Sequence, residues 1–289
     1  MMRKLRILLG VLRAIVCHPI QFLRYTVLFD LYHQGLTFGR GESLSAPPRE
    51  SAANNDNPLI RFYLEGSHRG MTKWCHYLEA YLPHFEQLRS SRSTLRILEI
   101  GIFSGGSLDM YRDFFLNQHL EIVAVDIDPE CRSFAQPGVT IEIGDQEDRA
   151  FWDGFVRRHA PFDIIIDDGG HTAQQQVATL ECMFNHVTPG GLYIVEDTLG
   201  VTNKFLGYVA GIVAAYNLSG NNDRGTVSPT SLQQMVARIE AVPGAFLFVR
   251  HGVGTSPAEL HSPWRGNFWT HAARRVFEAH NPGQDPPLT

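Results

Sequence analysis

The feature that most constrains this chain is a set of five short apolar runs between Leu95 and Glu196, most of them separated by stretches of helical spacing. They are Leu95–Ile100 (LRILEI), Glu121–Asp126 (EIVAVD), Val139–Ile143 (VTIEI), Phe162–Asp167 (FDIIID) and Leu192–Glu196 (LYIVE). Near-continuous apolar strands that alternate with helices imply a parallel sheet covered by helices on each side. Ser107–His119, Glu147–His159 and Ala173–His186 carry the spacing of the intervening helices. A further helix over Met71–Arg89 precedes the first strand, with Trp74, Tyr77, Leu78, Tyr81, Leu82 and Phe85 recurring at three and four residues. Ala245–Val249 (AFLFV) reads as a late strand. The expected fold class is α/β: a doubly wound, mostly parallel, Rossmann-like sheet of seven strands with an N-terminal helical extension.

Residues 40–58 are rich in Ser, Pro, Asn and Gly and read as a linker. The expected organisation is an extension over 1–39, the linker, a main domain over 59–251, and a tail over 252–289. The net charge of −5 is unevenly placed: residues 1–30 hold Arg3, Lys4, Arg6, Arg13 and Arg24 against Asp30, a local +4. An acidic remainder argues against a nucleic-acid partner bound through its phosphates. Leu5–Phe29 is apolar, but Arg13 and Arg24 interrupt it and no small-x-small cleavage site follows, against a membrane span or a signal peptide. Two readings stay open for it. One is an interfacial helix, broken near Pro19, on the inner face of the cytoplasmic membrane; the other is a helix packed on the main domain or on a second copy. Cys17, Cys75, Cys131 and Cys182 form no CxxC pair, which fits reduced thiols in a cytoplasmic protein.

In a doubly wound sheet, ligands sit beyond the carboxyl ends of the strands. After the first strand comes Glu99-Ile-Gly101-Ile-Phe-Ser104-Gly105-Gly106. A GxGxxG fingerprint would need glycine where Phe103 stands. An acid directly before the turn would repel a pyrophosphate but suits a cationic amino group, which favours S-adenosylmethionine (SAM) over a dinucleotide. Asp126 ends the second strand, where a carboxylate can accept ribose hydroxyls, whereas Asp128, followed by Pro129, reads as a helix cap. Asp145 and Gln146 follow the third strand, placed to flank an adenine. The fourth and fifth strands end in Asp167-Asp168-Gly169-Gly170-His171 and Glu196-Asp197. Four carboxylates on one rim repel unless protonated or bridged by a cation; hard oxygen donors favour magnesium or another hard divalent ion. Helix capping is the competing reading. His171 is placed to take a proton near neutral pH, or else to cap the helix that starts near Thr172.

LRILEIGIFSGGSL, VDIDP, IGDQED, IIIDDGGH and GGLYIVEDT, in this order, resemble the metal-dependent sugar O-methyltransferases of the mycinamicin and macrocin type, a family related to the cephalosporin hydroxylase-like group. The similarity covers about Gly70 to Val249 and includes Lys73, His76, Tyr77 and Tyr81. It implies a class I methyltransferase that transfers the methyl of SAM to a sugar hydroxyl. Carried over by position, Asp168, Glu196 and Asp197 match magnesium ligands and His171 the general base. Glu99, Gly101, Asp126, Asp145 and Gln146 match cofactor contacts; Ser104, Gly105 and Asp167 are grouped with them. After Thr198 the chain runs LGVTNKFLGY, unlike the family's aromatic-rich stretch, so the acceptor stays open between a glycan, a glycolipid and a glycosylated natural product. A homo-oligomer is expected. The competing functions are an iron oxygenase using the same carboxylates and a non-catalytic SAM-binding protein.

Overall fold

The computed structural model describes residues 34–39, 56–199, 203–217, 226–227, 229–257 and 260–261. The chain divides into two units, Met1–Asn54 and Asn55–Thr289. In the first, residues 34–39 are helical; the basic apolar segment over 1–30 lies outside the described residues.

The second unit starts with α1 (Pro58–Glu65). Asn57 caps it by accepting from the Leu59 and Ile60 amides, Pro58 occupies the first turn, and Gly66 ends it at φ +67°. The last two residues of the expected linker therefore already belong to this start. α2 (Cys75–Ser91) buries Tyr77, Leu78, Tyr81, His84, Phe85 and Leu88. It begins four residues later than its spacing suggests, because residues 70–74 run non-helically beside the first loop, where the Gly106 amide donates to the Gly70 carbonyl.

The alternation then follows as β1 (Thr94–Ile100), α3 (Gly106–Phe114), β2 (His119–Asp126), a 3₁₀ turn (Pro129–Phe134), β3 (Val139–Ile143), α4 (Arg149–Arg158), β4 (Phe162–Asp167), α5 (Ala173–Met183) and β5 (Val187–Val195). α6 (Phe205–Tyr216), β6 (Thr226–Val227), α7 (Ser231–Met235), β7 (Val236–Val242), β8 (Ala245–Arg250) and β9 (Leu260–His261) complete it. α3 stops short of its expected end because His119 joins β2, its amide donating to Ser93. β9 pairs with β6 inside the segment expected to be a tail.

The main sheet has the order β3-β2-β1-β4-β5-β8-β7, with β1 to β5 parallel and β8 antiparallel to both neighbours. One face packs Tyr77, Tyr81, Phe85, Leu108 and Tyr111 from α2 and α3; the other packs Trp152, Phe155, Leu180, Met183 and Phe205 from α4, α5 and α6. The order reverses between β1 and β4, so the crevice that binds ligands in such sheets opens above these two strands. Among the described residues no helix is long and apolar enough to cross a membrane. Cys75, Cys131 and Cys182 are free thiols.

Candidate active site

The loops leaving β1 and β4 press together at the switch point. A Cβ on Gly101, which sits at φ +88°, would lie 2.1 Å from the Asp168 carbonyl oxygen, so only glycine lets the two backbones meet. The ladder continues past the strands: the Gly101 amide donates to Val125, Asp168 to Ile100, Gly144 to Asp126 and Glu196 to Asp167. These loops enclose a cavity of about 510 Å³, lined by Gly101, Asp126, Asp145, Gln146, Asp168, His171 and Asp197 among others. Phe103 and Ile127, both largely exposed, give it an apolar lip.

Asp126 fixes the loop geometry as well as lining the cavity. Its oxygens accept from the Ile102 amide at 2.7 Å and the Asp128 amide at 2.9 Å. Asp128 caps the following turn by accepting from Glu130. Gln146 is buried. It donates to Asp167 at 2.5 Å, and its carbonyl oxygen accepts from the Gly170 amide at 2.9 Å, so it ties the β3 loop to the β4 loop.

Four expected cofactor contacts lie off this cavity. Glu99 is fully buried, and its oxygens accept from Ser107 at 2.8 Å and Tyr111 at 3.1 Å; burial pushes its carboxyl up to about 7, against the pull of Lys73. Asp167 is also buried beneath the rim, bonded to Gln146, with burial raising its carboxyl to about 7. Ser104 and Gly105 lie just ahead of α3, where Gly105 is its N-cap at φ +78° and lies under the Arg69 guanidinium.

The acidic rim also divides. Asp168, His171 and Asp197 bring one donor atom each to within 4.8 Å of the others; among the described residues this is the group able to hold a metal ion. His171 Nε2 is 3.8 Å from Asp197 Oδ2, and the Tyr77 hydroxyl lies 3.1 Å from Asp197 Oδ1. Glu196 does not join them. It is buried on Lys73, whose Nζ donates to Glu196 Oε1 at 2.7 Å and to Asp168 Oδ2 at 2.6 Å. Burial opposes the ammonium charge, but Glu196 and Asp168 outweigh it and hold Lys73 well above its ordinary value. A second groove of about 430 Å³, lined by Thr172, Gln174, Leu199, Asn203 and Lys204, meets the first cavity at His171 and Asp197. From the sequence, Lys73 stood only within the resemblance and carried no role; its helix-like surroundings hide that it precedes the helix.

Residues 98–198 match a methyltransferase domain family model. The chain is 37% identical over 142 residues to mycinamicin VI 2''-O-methyltransferase of Micromonospora griseorubida, which covers 46% of this chain and 35% of that protein. It is 38% identical over 155 residues to demethylmacrocin O-methyltransferase of Streptomyces fradiae, covering 51% and 37%. The chain thus matches little more than a third of the length of these curated relatives. A crystal structure of the mycinamycin-pathway methyltransferase MycE in complex with Mg and SAH superposes with a TM-score of 0.54 at 25% identity, covering 69% of this chain and 55% of that one. The fold is that of the class I SAM-dependent methyltransferases, and the chain is homologous to macrolide sugar O-methyltransferases.

Proposed function

We propose that the methyltransferase domain of this chain transfers the methyl group of SAM to a sugar hydroxyl of a glycan, glycolipid or glycosylated natural product, with a hard divalent cation such as magnesium as cofactor. The observation that carries this reading is the meeting of two cavities at His171 and Asp197. One is of a size suited to a nucleoside cofactor; the other is a polar groove in which a sugar can lie.

The donor set fits the cation: the carboxylates of Asp168 and Asp197, close together and accessible, offer hard oxygens beside His171. Asp168 and Asp197 would hold it, and a bound divalent ion lowers the pKa of a coordinated hydroxyl. The remaining work falls to side chains of the protein. Gly101 lets backbone approach the cofactor, and Asp126 keeps lone pairs for its ribose. His171 accepts the acceptor hydroxyl's proton, and Asp197 beside it steadies the imidazolium that results. The sugar oxygen forms its bond to the methyl carbon as the sulfur–methyl bond breaks, leaving SAH. Holding both reactants in line is the domain's main contribution.

The test is a methyl-transfer screen over glycans bearing vicinal hydroxyls, with calorimetric titration of SAH. His171→Ala should lose about 10²–10⁴-fold in turnover and keep its SAH affinity; full activity of that variant, or of the wild type in EDTA, would sink the reading. We further infer that the protein is cytoplasmic and homo-oligomeric, and that residues 1–30, with their +4 charge, dock either on the membrane surface or on the main domain or a second copy. Equal fractionation of the full chain and a chain lacking residues 1–35 would refute the membrane contact.

A further inference from the structure

Tyr77 reaches the rim from α2 rather than from the loops at the strand ends. It is fully buried, and its hydroxyl faces two acceptors, Asp197 Oδ1 at 3.1 Å and the Gly244 carbonyl at 2.9 Å. Gly244 stands in the two-residue turn between β7 and β8 at φ +87°, and a Cβ there would lie 2.3 Å from the Tyr77 oxygen, so glycine is what lets the hydroxyl in. A phenol has one proton to give. The Gly244 carbonyl already accepts from the Thr198 amide at 2.8 Å, whereas among the described residues no other hydrogen-bond donor reaches Asp197 Oδ1. The proton therefore goes to the carboxylate, the charged and stronger acceptor. The second oxygen, Oδ2, is the one that faces His171 Nε2, at 3.8 Å. A carboxylate turns broadly about its last torsion, and the Asp197 side chain, 38% exposed, is little held by packing.

We propose that Tyr77 is a positioning residue for the cation site: its hydroxyl takes Oδ1 of Asp197, fixes the plane of the carboxylate, and leaves Oδ2 facing His171 and free to serve the ion. The proposal rests on reading Asp197 as one of the ion's ligands. The backbone is held from the same place, because Thr198, next in the chain, bonds Gly244. The β7–β8 turn, which supplies no side chain to the rim, thus sets the orientation of a ligand that follows β5. Hydrogen bonds behind a metal ligand orient it in this way, and their loss commonly weakens metal binding about 10–100-fold.

The experiment compares wild type, Tyr77→Phe and His76→Phe by calorimetry of magnesium in the presence of SAH, calorimetry of SAH in EDTA, and melting in EDTA. Tyr77→Phe keeps the ring and loses the hydroxyl. It should bind magnesium about 10–100-fold more weakly and bind SAH as wild type does. It should melt only about 1–6 °C lower, because Gly244 keeps its bond from Thr198 and Asp197 turns to water. His76→Phe separates this role from bracing of the hairpin. The His76 ring nitrogen donates to the Pro243 carbonyl at 2.7 Å, the neighbouring bond between α2 and the same turn, and phenylalanine keeps the ring contacts with Trp74 and Tyr77. This variant should bind magnesium as wild type does. Unchanged or tighter magnesium binding by Tyr77→Phe would overturn the proposal and leave the cation site in place. Equal weakening by His76→Phe would also overturn it, as would a matching loss of SAH affinity or a larger fall in the melt of Tyr77→Phe, since each assigns the hydroxyl to packing. Magnesium binding to none of the three would overturn both the proposal and the placing of the ion. None of these measurements needs an acceptor or methyl transfer, so failure of the proposal would leave the proposed reaction standing.

Discussion

Glu99 gives a pH test that uses no ligand. Its carboxyl lies at the end of β1, fully buried, and accepts from Ser107 and Tyr111. Burial is the largest influence on it and raises it from 4.5 to about 7, although Lys73 and Ser107 pull the other way. Because the folded-state value is raised, the native protein holds this proton more tightly than the unfolded chain does. The stability this confers is complete below about pH 4.5 and is lost progressively as pH climbs to about 7. The total is about 3 kcal/mol. Glu99→Gln keeps the shape and cannot ionise. It carries its own fixed cost, from the amide hydrogens that now need partners, but that cost does not change with pH. Urea unfolding of both proteins from pH 4 to 8, without metal or cofactor, isolates the effect. The variant should gain on the wild type by about 3 kcal/mol across that window. A stability difference that stays flat with pH would show that Glu99 ionises as an ordinary surface carboxylate and would refute the argument from burial.

Other perturbations probe the rim. Gly101→Ala should cost about 2–4 kcal/mol in urea unfolding, since it combines a left-handed backbone with a Cβ driven into the Asp168 carbonyl; unchanged stability would mean that the two loops are not packed as described. Gln146→Ala removes the side-chain donor to buried Asp167 and the acceptor for Gly170, and should lose about 1–3 kcal/mol together with SAH affinity. Phe103→Ala should weaken SAH binding several-fold while leaving the melting midpoint unchanged, because this ring stands 78% exposed at the cavity's lip.

The parallel sheet was legible because its strands are short, mostly apolar runs: β3 and β4 end where their residues change character. Boundaries set by tertiary bonds were not legible. α3 yields its last turn to His119 in β2, and β5 starts at Val187, ahead of the apolar run, through a strand that includes Gly190 and Gly191. α6 went unread because FLGYVAGIVAAY is apolar all round and shows no helical stripe. β7 likewise gave no apolar run. In the site, the acidic pairs were visible as pairs, but their division was not. Successive residues at a strand end point to opposite sides, so in Asp167-Asp168 one carboxylate faces the core and the other the cavity. Lys73 shows the remaining limit. Its partners lie 95 and 123 residues away, at the ends of two strands, and no local pattern announces them.

Among the described residues, three other than glycine adopt left-handed backbone: Phe103 at φ 52°, His171 at φ 57° and Asp197 at φ 53°. Each follows a different strand of the switch region (β1, β4 and β5), and all three border the cavity. Such conformations cost about 1–3 kcal/mol apiece and persist only where their surroundings enforce them. The rim is thus the part of the domain with most to gain by letting go, while the strands beneath it have most to lose. Its amides should exchange with solvent through openings far smaller than global unfolding. Whatever fills the cavity would then register first as slowed exchange at these three bends, before any change in the sheet.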